Sequence, residues 1–182
     1  MKRRNWLALA LAQSLIAMST GFVGPMYAIY FEKVTGNLID VGLIIGLFWV
    51  VVGILELFAG NIVDKIGKGK SFFIGGLLSS IAIISYPLAR NSFELMLAEI
   101  VNAIGYSFHL PSFYALLAET TSKEKRGKEV SLIDAFWNVL YGISAIVSGM
   151  IIAMVGFSTI FGIAGIFNLL SSLLVGRRFN QV

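Results

Sequence analysis

Four polar side chains recur along one strongly apolar stretch, and two of them titrate. Glu99, Asn102, Tyr106 and His109 follow one another at spacings of three, four and three residues. In a helix these spacings place the side chains on one face over about 15 Å, because each residue advances the axis by about 1.5 Å. Carboxyl and imidazole groups exchange protons, while amides and phenols bind polar solutes. The spacing therefore predicts a polar path for protons or for a small solute.

Other apolar stretches carry weaker polar rows of the same kind. The first stretch contains, at intervals of seven residues, Gln13, Thr20 and Tyr27. A later stretch contains four polar residues compatible with one helix face: Asp134, Asn138, Tyr141 and Ser148. Glu56 adds a carboxyl group on another stretch. A structural interpretation stays open beside the functional one, because such groups also hydrogen-bond neighbouring helices and Glu99 could reach the membrane interface.

The same residues do not predict a metal site or an enzyme. Glu99 and His109 are ten residues apart, about 15 Å along a helix, which is too far for one metal ion. His109 is the only histidine, and the chain has no cysteine. No nucleophile motif accompanies them. We therefore expect no metal, no cofactor and no enzymatic reaction.

The elements that must position these side chains are membrane helices. Of 182 residues, 57% are hydrophobic and 13% are charged, and the mean hydropathy is +0.85, which excludes a soluble single-domain enzyme. Six apolar stretches approach the length of about 20 residues that crosses a bilayer: 6–31, 41–63, 72–89, 93–117, 130–155 and 157–175. We predict an all-α, polytopic membrane protein whose six transmembrane helices form a single bundle over residues 1–182.

The basic residues predict the orientation of this bundle. With a cytoplasmic amino terminus, all of the 14 Lys and Arg residues except Lys33 and Arg90 lie in cytoplasmic segments. Positively charged loops stay on the cytoplasmic side, so both termini are predicted there, in the plasma (inner) membrane. The net charge of +4 then needs no nucleic-acid partner. The first apolar stretch is too long for a signal peptide and is interpreted as a retained span.

The first and second halves of the chain also resemble each other in sequence. A shift of 89 residues superimposes two sets of glycines, namely Gly53, Gly60 and Gly67 on Gly142, Gly149 and Gly156. A shift of 86 superimposes Pro25 on Pro111. Because three crossings reverse the direction of the chain, this predicts a 3+3 inverted repeat over about 1–90 and 91–182. The seven-residue glycine spacing predicts close helix contacts, and the prolines predict bends.

A short motif separates the second and third predicted helices: Gly60-Asn61-Ile62-Val63-Asp64-Lys65-Ile66-Gly67-Lys68-Gly69-Lys70. It resembles the signature loop of the major facilitator superfamily, Gly-x-Leu-x-Asp-Arg-x-Gly-Arg-Lys, with departures at Ile62, Lys65 and Gly69. The resemblance covers the whole chain as an amino-terminal six-helix half. It implies that the first and fourth helices line a central cavity, that the second and fifth flank it, and that the third and sixth lie outside.

The resemblance also implies a conformational latch formed by Gly60, Asp64, Lys65, Gly67 and Lys68. Asp64 would face the positively polarised start of a helix in an opposite half, which we expect to be residues 127–131 of a second copy. The simpler alternative is that Asp64 pairs with Lys68. Gly60 should allow a close helix contact, Gly67 a tight turn, and the lysines contact with an anionic leaflet.

Two departures argue against assignment to the proton-coupled drug antiporters of this superfamily. Glu99 stands where many of them have an arginine ahead of a glycine, here Gly105, and the fifth helix lacks their Gly-Pro pair. The predicted function is alternating-access transport of a small solute by a homodimer of half-size subunits, a secondary transporter with protons as the candidate coupling ion. Two alternatives stay open: one half of a split or truncated transporter that needs a complementary six-helix half, and a non-transporting membrane scaffold or regulator.

Overall fold

The computed structural model describes residues 2–179, and every element within that range is helical. The α-helices are α1 (Lys2–Val23), α2 (Tyr27–Thr35), α3 (Leu38–Ile66), α4 (Lys68–Ser85), α5 (Ser92–Thr120), α6 (Arg126–Val155) and α7 (Phe157–Phe179). A 3₁₀ turn, Tyr86–Leu88, follows α4. The predicted all-α class is confirmed. Residues 1 and 180–182, at the two ends of the predicted domain 1–182, lie outside the described residues.

Five helical segments are long and apolar enough to cross a membrane. They are Arg3–Val23, Leu38–Ile66, Lys68–Leu88, Arg126–Val155 and Phe157–Phe179. The fourth predicted crossing corresponds to α5, which is 29 residues long but is not among these five. Its polar side chains, among them Glu99, Asn102 and His109, lower its mean hydropathy. Length and composition therefore support five of the six predicted crossings.

The prediction that residues 6–31 form one helix is wrong. α1 ends at Val23, and residues 24–26 form a turn before α2 begins at Tyr27. Gly24 and Pro25 explain the break, because glycine disfavours the helix interior and proline lacks the amide hydrogen that the helix ladder needs. Pro111, the residue that the repeat pairs with Pro25, lies inside α5 without interrupting it. The two prolines thus have different structural effects.

The loop predicted between residues 63 and 72 is much shorter than expected, whereas the junction predicted at Gly156, between the stretches 130–155 and 157–175, is confirmed. Gly67 alone separates α3 from α4, and Gly156 alone separates α6 from α7. Their φ angles are +94° and +86°, in the left-handed region that favours glycine. Each amide donates to the carbonyl four residues earlier at 3.0 Å. The signature motif is therefore helical on both sides of Gly67, and the predicted tight turn is present.

The long helices pack as a row in the order α3, α5, α4, α7, α1, α6. Helices that are adjacent in this row pack extensively, whereas α1 and α5 touch only weakly. α4 and α7 form the centre, with half of their membrane-length segments buried. α3 and α6 form the two ends, with only 17% and 11% buried. Large faces of α3 and α6 are consequently uncovered within the single chain.

Small residues set the closest helix contacts, but not at the positions that the repeat predicted. A Cβ on Gly75 would lie 2.5 Å from the carbonyl oxygen of Gly105, so α4 and α5 meet backbone to backbone. Gly76 meets the Ser172 side chain in the same way between α4 and α7. Within the single chain the predicted contacts are absent at Gly53, Gly60 and Gly142, where a Cβ would meet nothing within 4 Å. Those three glycines lie on the uncovered faces of α3 and α6.

Candidate functional site

Glu99 is the centre of a buried polar network at the end of the bundle that carries Tyr86, called here the Tyr86 end. Its side chain is fully buried, and Tyr86 donates a hydrogen bond from its phenol to Glu99 Oε1. The same phenol oxygen accepts a hydrogen bond of 2.9 Å from Asn102 Nδ2. Tyr30 on α2 donates to the Tyr86 carbonyl oxygen at 3.1 Å. The network thus joins α2, the 3₁₀ turn and α5.

Aromatic rings hold this network in place. Phe31 and Phe161 are fully buried, and each ring lies edge-on to Tyr86 with centroids 5.4 Å apart. The Tyr27 ring also lies edge-on to Tyr86, at 6.1 Å. Edge-to-face pairs of this kind are favourable because the positive rim of one ring meets the negative face of the other. Tyr86 is therefore fixed in a position to contact Glu99.

Only one of the two carboxyl oxygens of Glu99 accepts a hydrogen bond in this network. Within residues 2–179, Glu99 Oε2 is buried and has no hydrogen-bond partner. Burying a carboxylate that lacks hydrogen-bond partners or a counter-charge costs free energy, and the cost is higher in a membrane helix. Uptake of a proton by Glu99 removes that charge. The proton-binding role predicted for Glu99 is taken up below as a proposal.

The remaining side chains of the predicted row on α5 do not join Glu99. Tyr106 packs against α3, where its ring centroid is 5.9 Å from Trp49 and 5.8 Å from Phe48. Trp49 is 57% exposed, and Glu56, seven residues farther along the same face of α3, is also exposed. This group, Trp49, Glu56 and Tyr106, combines aromatic faces with a carboxyl group on an uncovered surface.

His109 turns toward a different helix. It is buried, and its ring lies 4.1 Å from that of Phe72 on α4. Within the described part of the chain its Nε2 atom has no hydrogen-bond partner. The continuous polar path that the spacing predicted along α5 is therefore divided among three surroundings. Glu99 and Asn102 share one of them, Tyr106 has the second, and His109 has the third.

The predicted row on the first stretch is also divided. The Gln13 side chain has a buried Oε1 without a partner among residues 2–179. Thr20 is exposed and donates to the Ile16 carbonyl oxygen at 2.8 Å. Tyr27 lies beyond the break, on α2, and belongs to the aromatic surroundings of Tyr86. The break at residues 24–26 is the reason that a spacing of seven does not place Tyr27 above Thr20.

The row on α6 separates into exposed and packed residues. Asp134 and Asn138 are exposed. Tyr141 stacks on Trp137 with centroids 5.1 Å apart and contacts α1, because a Cβ on Gly21 would lie 2.5 Å from the Tyr141 carbonyl oxygen. Ser148 is buried and donates to a carbonyl oxygen of α1 at 2.8 Å. Asp134 and Asn138 are thus uncovered within the single chain, whereas Ser148 has a structural role.

The signature motif lies at the opposite end of the bundle. Lys68, at the start of α4, forms an ion pair with Glu119 near the end of α5. A cation at a helix start and an anion at a helix end each oppose the helix dipole, and their pairing offsets this. The alternative that Asp64 pairs with Lys68 is therefore wrong. Asp64 and Lys65 are exposed, and no ion pair of Asp64 occurs within residues 2–179.

Three participants were missed by the sequence reasoning. Tyr86 lies on another element from Glu99 and has no spacing that could reveal it. Glu119 ends an apolar helix like many surface carboxylates, and Trp49 lies among other bulky apolar residues of the stretch 41–63. Among residues 2–179 there is no group of three or more His, Asp or Glu side chains that could hold a metal ion.

The buried glutamate, the helix–glycine–helix motif and the row of long apolar helices can be compared with known families. The family profile described as Major Facilitator Superfamily matches residues 9–180. The chain belongs to the major facilitator superfamily. This confirms the family that the motif at Gly60–Lys70 suggested, a superfamily of membrane transporters rather than enzymes.

Individual relatives match a smaller part of this chain than the family profile does. An uncharacterized MFS-type transporter, YhjO of Bacillus subtilis (strain 168), is 26% identical over 125 residues, which is 68% of this chain and 31% of YhjO. The quinolone resistance protein NorA of Staphylococcus aureus (strain MRSA252) is 26% identical over 126 residues, 68% of this chain and 32% of NorA. The matched stretch thus spans about a third of each relative's length.

Proposed function

We propose that this chain is a six-helix half of a secondary transporter and that two copies together move a small solute by alternating access. The carrying observation is the exposure of Glu56 and Asp134 on α3 and α6. Both lie about 12–15 Å from the helix ends nearest Gly67 and Arg126, at 1.5 Å per residue. A carboxyl group at that depth does not face lipid, so these faces border a water-filled cavity or more protein.

The 3+3 inverted repeat, over about 1–90 and 91–182, is supported by the packing. If α1 is exchanged with α5, α3 with α6 and α4 with α7, the row is reversed and every pair of neighbouring helices is kept. Gly67 and Gly156, 89 residues apart, have the same function as one-residue connections with positive φ. With α5 as the sixth crossing, the distribution of Lys and Arg supports cytoplasmic termini in the plasma (inner) membrane.

A second copy is the proposed cover for the uncovered faces. On α3, one helix face carries Gly42, Gly46, Gly53 and Gly60, and a Cβ on any of these would meet nothing within 4 Å. The offset of 89 relates this face to a row of small residues on α6: Ser131, Ala135, Asn138, Gly142, Ala145 and Gly149. Small residues let membrane helices approach closely. We therefore propose that α3 of each copy packs against α6 of the other.

The solute path in this assembly runs between the exposed faces of α1, α3, α5 and α6. Trp49 and Tyr106 offer aromatic surfaces, while Glu56 and Asp134 offer polar contacts. Glu99 is proposed as the proton-binding group that couples transport to a proton gradient. The substrate is a small solute of unidentified class. Since the name of one relative refers to quinolone resistance, quinolones belong among the solutes to test.

The test combines cross-linking with transport in one preparation. The chain has no cysteine, so Gly60→Cys and Ala135→Cys together place thiols only on the two proposed contact faces. In liposomes we expect an intermolecular disulfide with the double variant and much less with either single variant. The matched control is Ile166→Cys on α7, which is 54% exposed but lies off both faces. A pH-sensitive dye inside the liposomes reports proton flux on addition of sugars, organic acids, hydrophobic cations or quinolones.

Solute-dependent flux from a preparation in which no intermolecular disulfide forms contradicts the homodimer. Cross-linked dimers without flux for any of these solutes favour a scaffold or regulator over a transporter. The second candidate function is that of one half that needs a complementary six-helix half instead of a second copy. The match to only about a third of each relative supports that candidate, and flux that appears only after a complementary half is co-expressed would establish it.

A further inference from the structure

The Tyr86 hydroxyl lies between an amide and a carboxyl group, and these two neighbours fix the direction of its hydrogen bonds. The phenol oxygen accepts a hydrogen bond of 2.9 Å from Asn102 Nδ2, and the phenol donates its only hydrogen to Glu99 Oε1. Asn102 and Glu99 are three residues apart on α5, so both reach the phenol from the same helix face. The chain of hydrogen bonds thus runs from Asn102 through Tyr86 to Glu99 and ends on Oε1.

Tyr86 is held in place from outside α5. It lies in the 3₁₀ turn beside Pro87, whose ring fixes the backbone φ angle. Its carbonyl oxygen accepts from the Ala89 amide and from the Tyr30 hydroxyl, each at 3.1 Å. Its ring is fully buried, and rings of α2 and α7 pack edge-on against it. The donor therefore keeps its place whether the Glu99 side chain is charged or neutral.

The two oxygens of Glu99 consequently differ. Oε1 accepts from Tyr86, whereas Oε2 is buried and has no hydrogen-bond partner within residues 2–179. A protonated carboxyl group carries its hydrogen on one oxygen and keeps the other as an acceptor. Protonation of Oε2 leaves the hydrogen bond from Tyr86 intact, whereas protonation of Oε1 would weaken it, because a hydroxyl oxygen is a poorer acceptor than a carbonyl oxygen. Oε2 is thus the oxygen suited to bind a proton.

We propose that Tyr86 is a positioning residue for proton binding by Glu99: the proton binds to Oε2, while Oε1 accepts from the Tyr86 hydroxyl in both states of the carboxyl group. This inference rests on the proposed function, in which Glu99 couples transport to protons. The step takes one proton from the aqueous phase, forms one O–H bond on Oε2 and neutralises one negative charge. The titratable side chains that α2 brings to this network are the phenols of Tyr27 and Tyr30, and an ordinary phenol keeps its proton at neutral pH.

Infrared difference spectra of the full chain in liposomes test this proposal, because the carbonyl band of a protonated carboxyl group reports the donors at its carbonyl oxygen. Spectra at acid pH minus spectra at alkaline pH contain this band, and Glu99→Gln identifies the part that is due to Glu99. A hydrogen bond to a carbonyl oxygen lowers the wavenumber of its band. Tyr86→Phe removes the donor and keeps the ring, so we expect the Glu99 band to remain and to move to higher wavenumber.

Tyr114→Phe is the matched control, because it also removes a phenol hydroxyl from the chain. Tyr114 is 59% exposed and lies about 22 Å from Glu99 along α5, at about 1.5 Å per residue. This variant should leave the Glu99 band at its original wavenumber. A shift in both variants would show that the band does not report the Tyr86 hydrogen bond, and it would overturn the proposal.

The remaining outcomes separate this inference from the proposed function. A difference spectrum that Glu99→Gln does not change contradicts proton binding by Glu99 itself. A Glu99 band that Tyr86→Phe leaves in place, or removes, overturns only the positioning role. Melting temperatures show whether each variant is folded. If Tyr86→Phe is unfolded, Asn102→Ala decides: the phenol then lacks the donor that polarises it, so the Glu99 band should make a smaller move to higher wavenumber, and an unmoved band overturns the proposal.

Discussion

At the scale of single residues, the most consequential side chain is Glu99. It is fully buried, it accepts from Tyr86 through Oε1, and its Oε2 atom has no partner within the described residues. A structural carboxyl group in a membrane helix would be expected to have both oxygens satisfied. The unpaired oxygen therefore supports the proton-binding function over the structural alternative. Glu56 and Asp134, which are uncovered within the single chain, are the carboxyl groups proposed to contact a solute.

The first residue-scale prediction concerns Glu99→Gln. The amide oxygen of glutamine still accepts from Tyr86, so the chain should stay folded within about 1 kcal/mol of its original stability. The variant carries no exchangeable acid, and solute-driven proton flux in liposomes should be lost. Glu32→Gln, on the exposed surface of α2, is the matched control and should transport normally. Unchanged proton dependence in Glu99→Gln, and also in single variants of Glu56, Asp134 and His109, removes proton coupling from the proposed mechanism.

At the scale of elements, the α4–α5 contact shows how this bundle is held together. Helix association in a membrane depends on close packing rather than on the exclusion of water. Gly75 and Gly105 let the two backbones touch, and Lys68 and Glu119 add an ion pair at the end of the same contact. An exposed ion pair contributes about 0–1 kcal/mol, so the glycines dominate. The seven-residue glycine pattern pointed to other positions because it cannot show which face a neighbour covers.

Gly75→Ala tests the importance of this contact. The added Cβ would lie 2.5 Å from the Gly105 carbonyl oxygen and 2.7 Å from the His109 amide nitrogen. Both are backbone atoms, so the helices must move apart, at a cost of about 1–3 kcal/mol. Gly162→Ala on α7 introduces the same methyl group where nothing lies within 4 Å and should be neutral within about 0.5 kcal/mol. Unfolding in mixed micelles measures both, and equal stability of the two variants would contradict this account.

At the scale of the whole molecule, Asp64 and the uncovered faces of α3 and α6 are the features that the proposed second copy would cover. Because Lys68 forms an ion pair with Glu119, it does not pair with Asp64. An exposed carboxylate at the end of α3 is then available to the amino-terminal end of α6 in a second copy. The latch proposal thus gains support from the loss of its simpler alternative.

Asp64→Asn should weaken one state of the transport cycle. A carboxylate at a helix start contributes about 0.3–1 kcal/mol, so we expect a fall of about two- to fivefold in the rate of solute flux. Membrane insertion and cross-linking through Gly60→Cys and Ala135→Cys should be unaffected. Glu124→Gln, an exposed charge in the segment between α5 and α6, is the matched control. Flux equal to that of the unaltered chain would rule out the latch.

The sequence by itself determined the helical class, nearly every long helix and the family. Apolar runs long enough to cross a bilayer leave the chain little choice but helices, because a backbone in lipid must satisfy its own hydrogen bonds. The motif from Gly60 to Lys70 indicated the superfamily, and Gly67 was recognisable as a turn because glycine tolerates positive φ. These features depend on local composition and spacing, which a sequence records directly.

Only the tertiary structure decided which polar residues meet. Periodicity placed Glu99, Asn102, Tyr106 and His109 on one helix face, but α3, α4 and the turn at Tyr86 each contact a different part of that face. The partners Tyr86 and Glu119 come from other elements, and the break at Gly24 and Pro25 moves Tyr27 off its predicted row. Such outcomes depend on the order in which helices pack, and this order arises from shape complementarity between distant segments rather than from any local pattern.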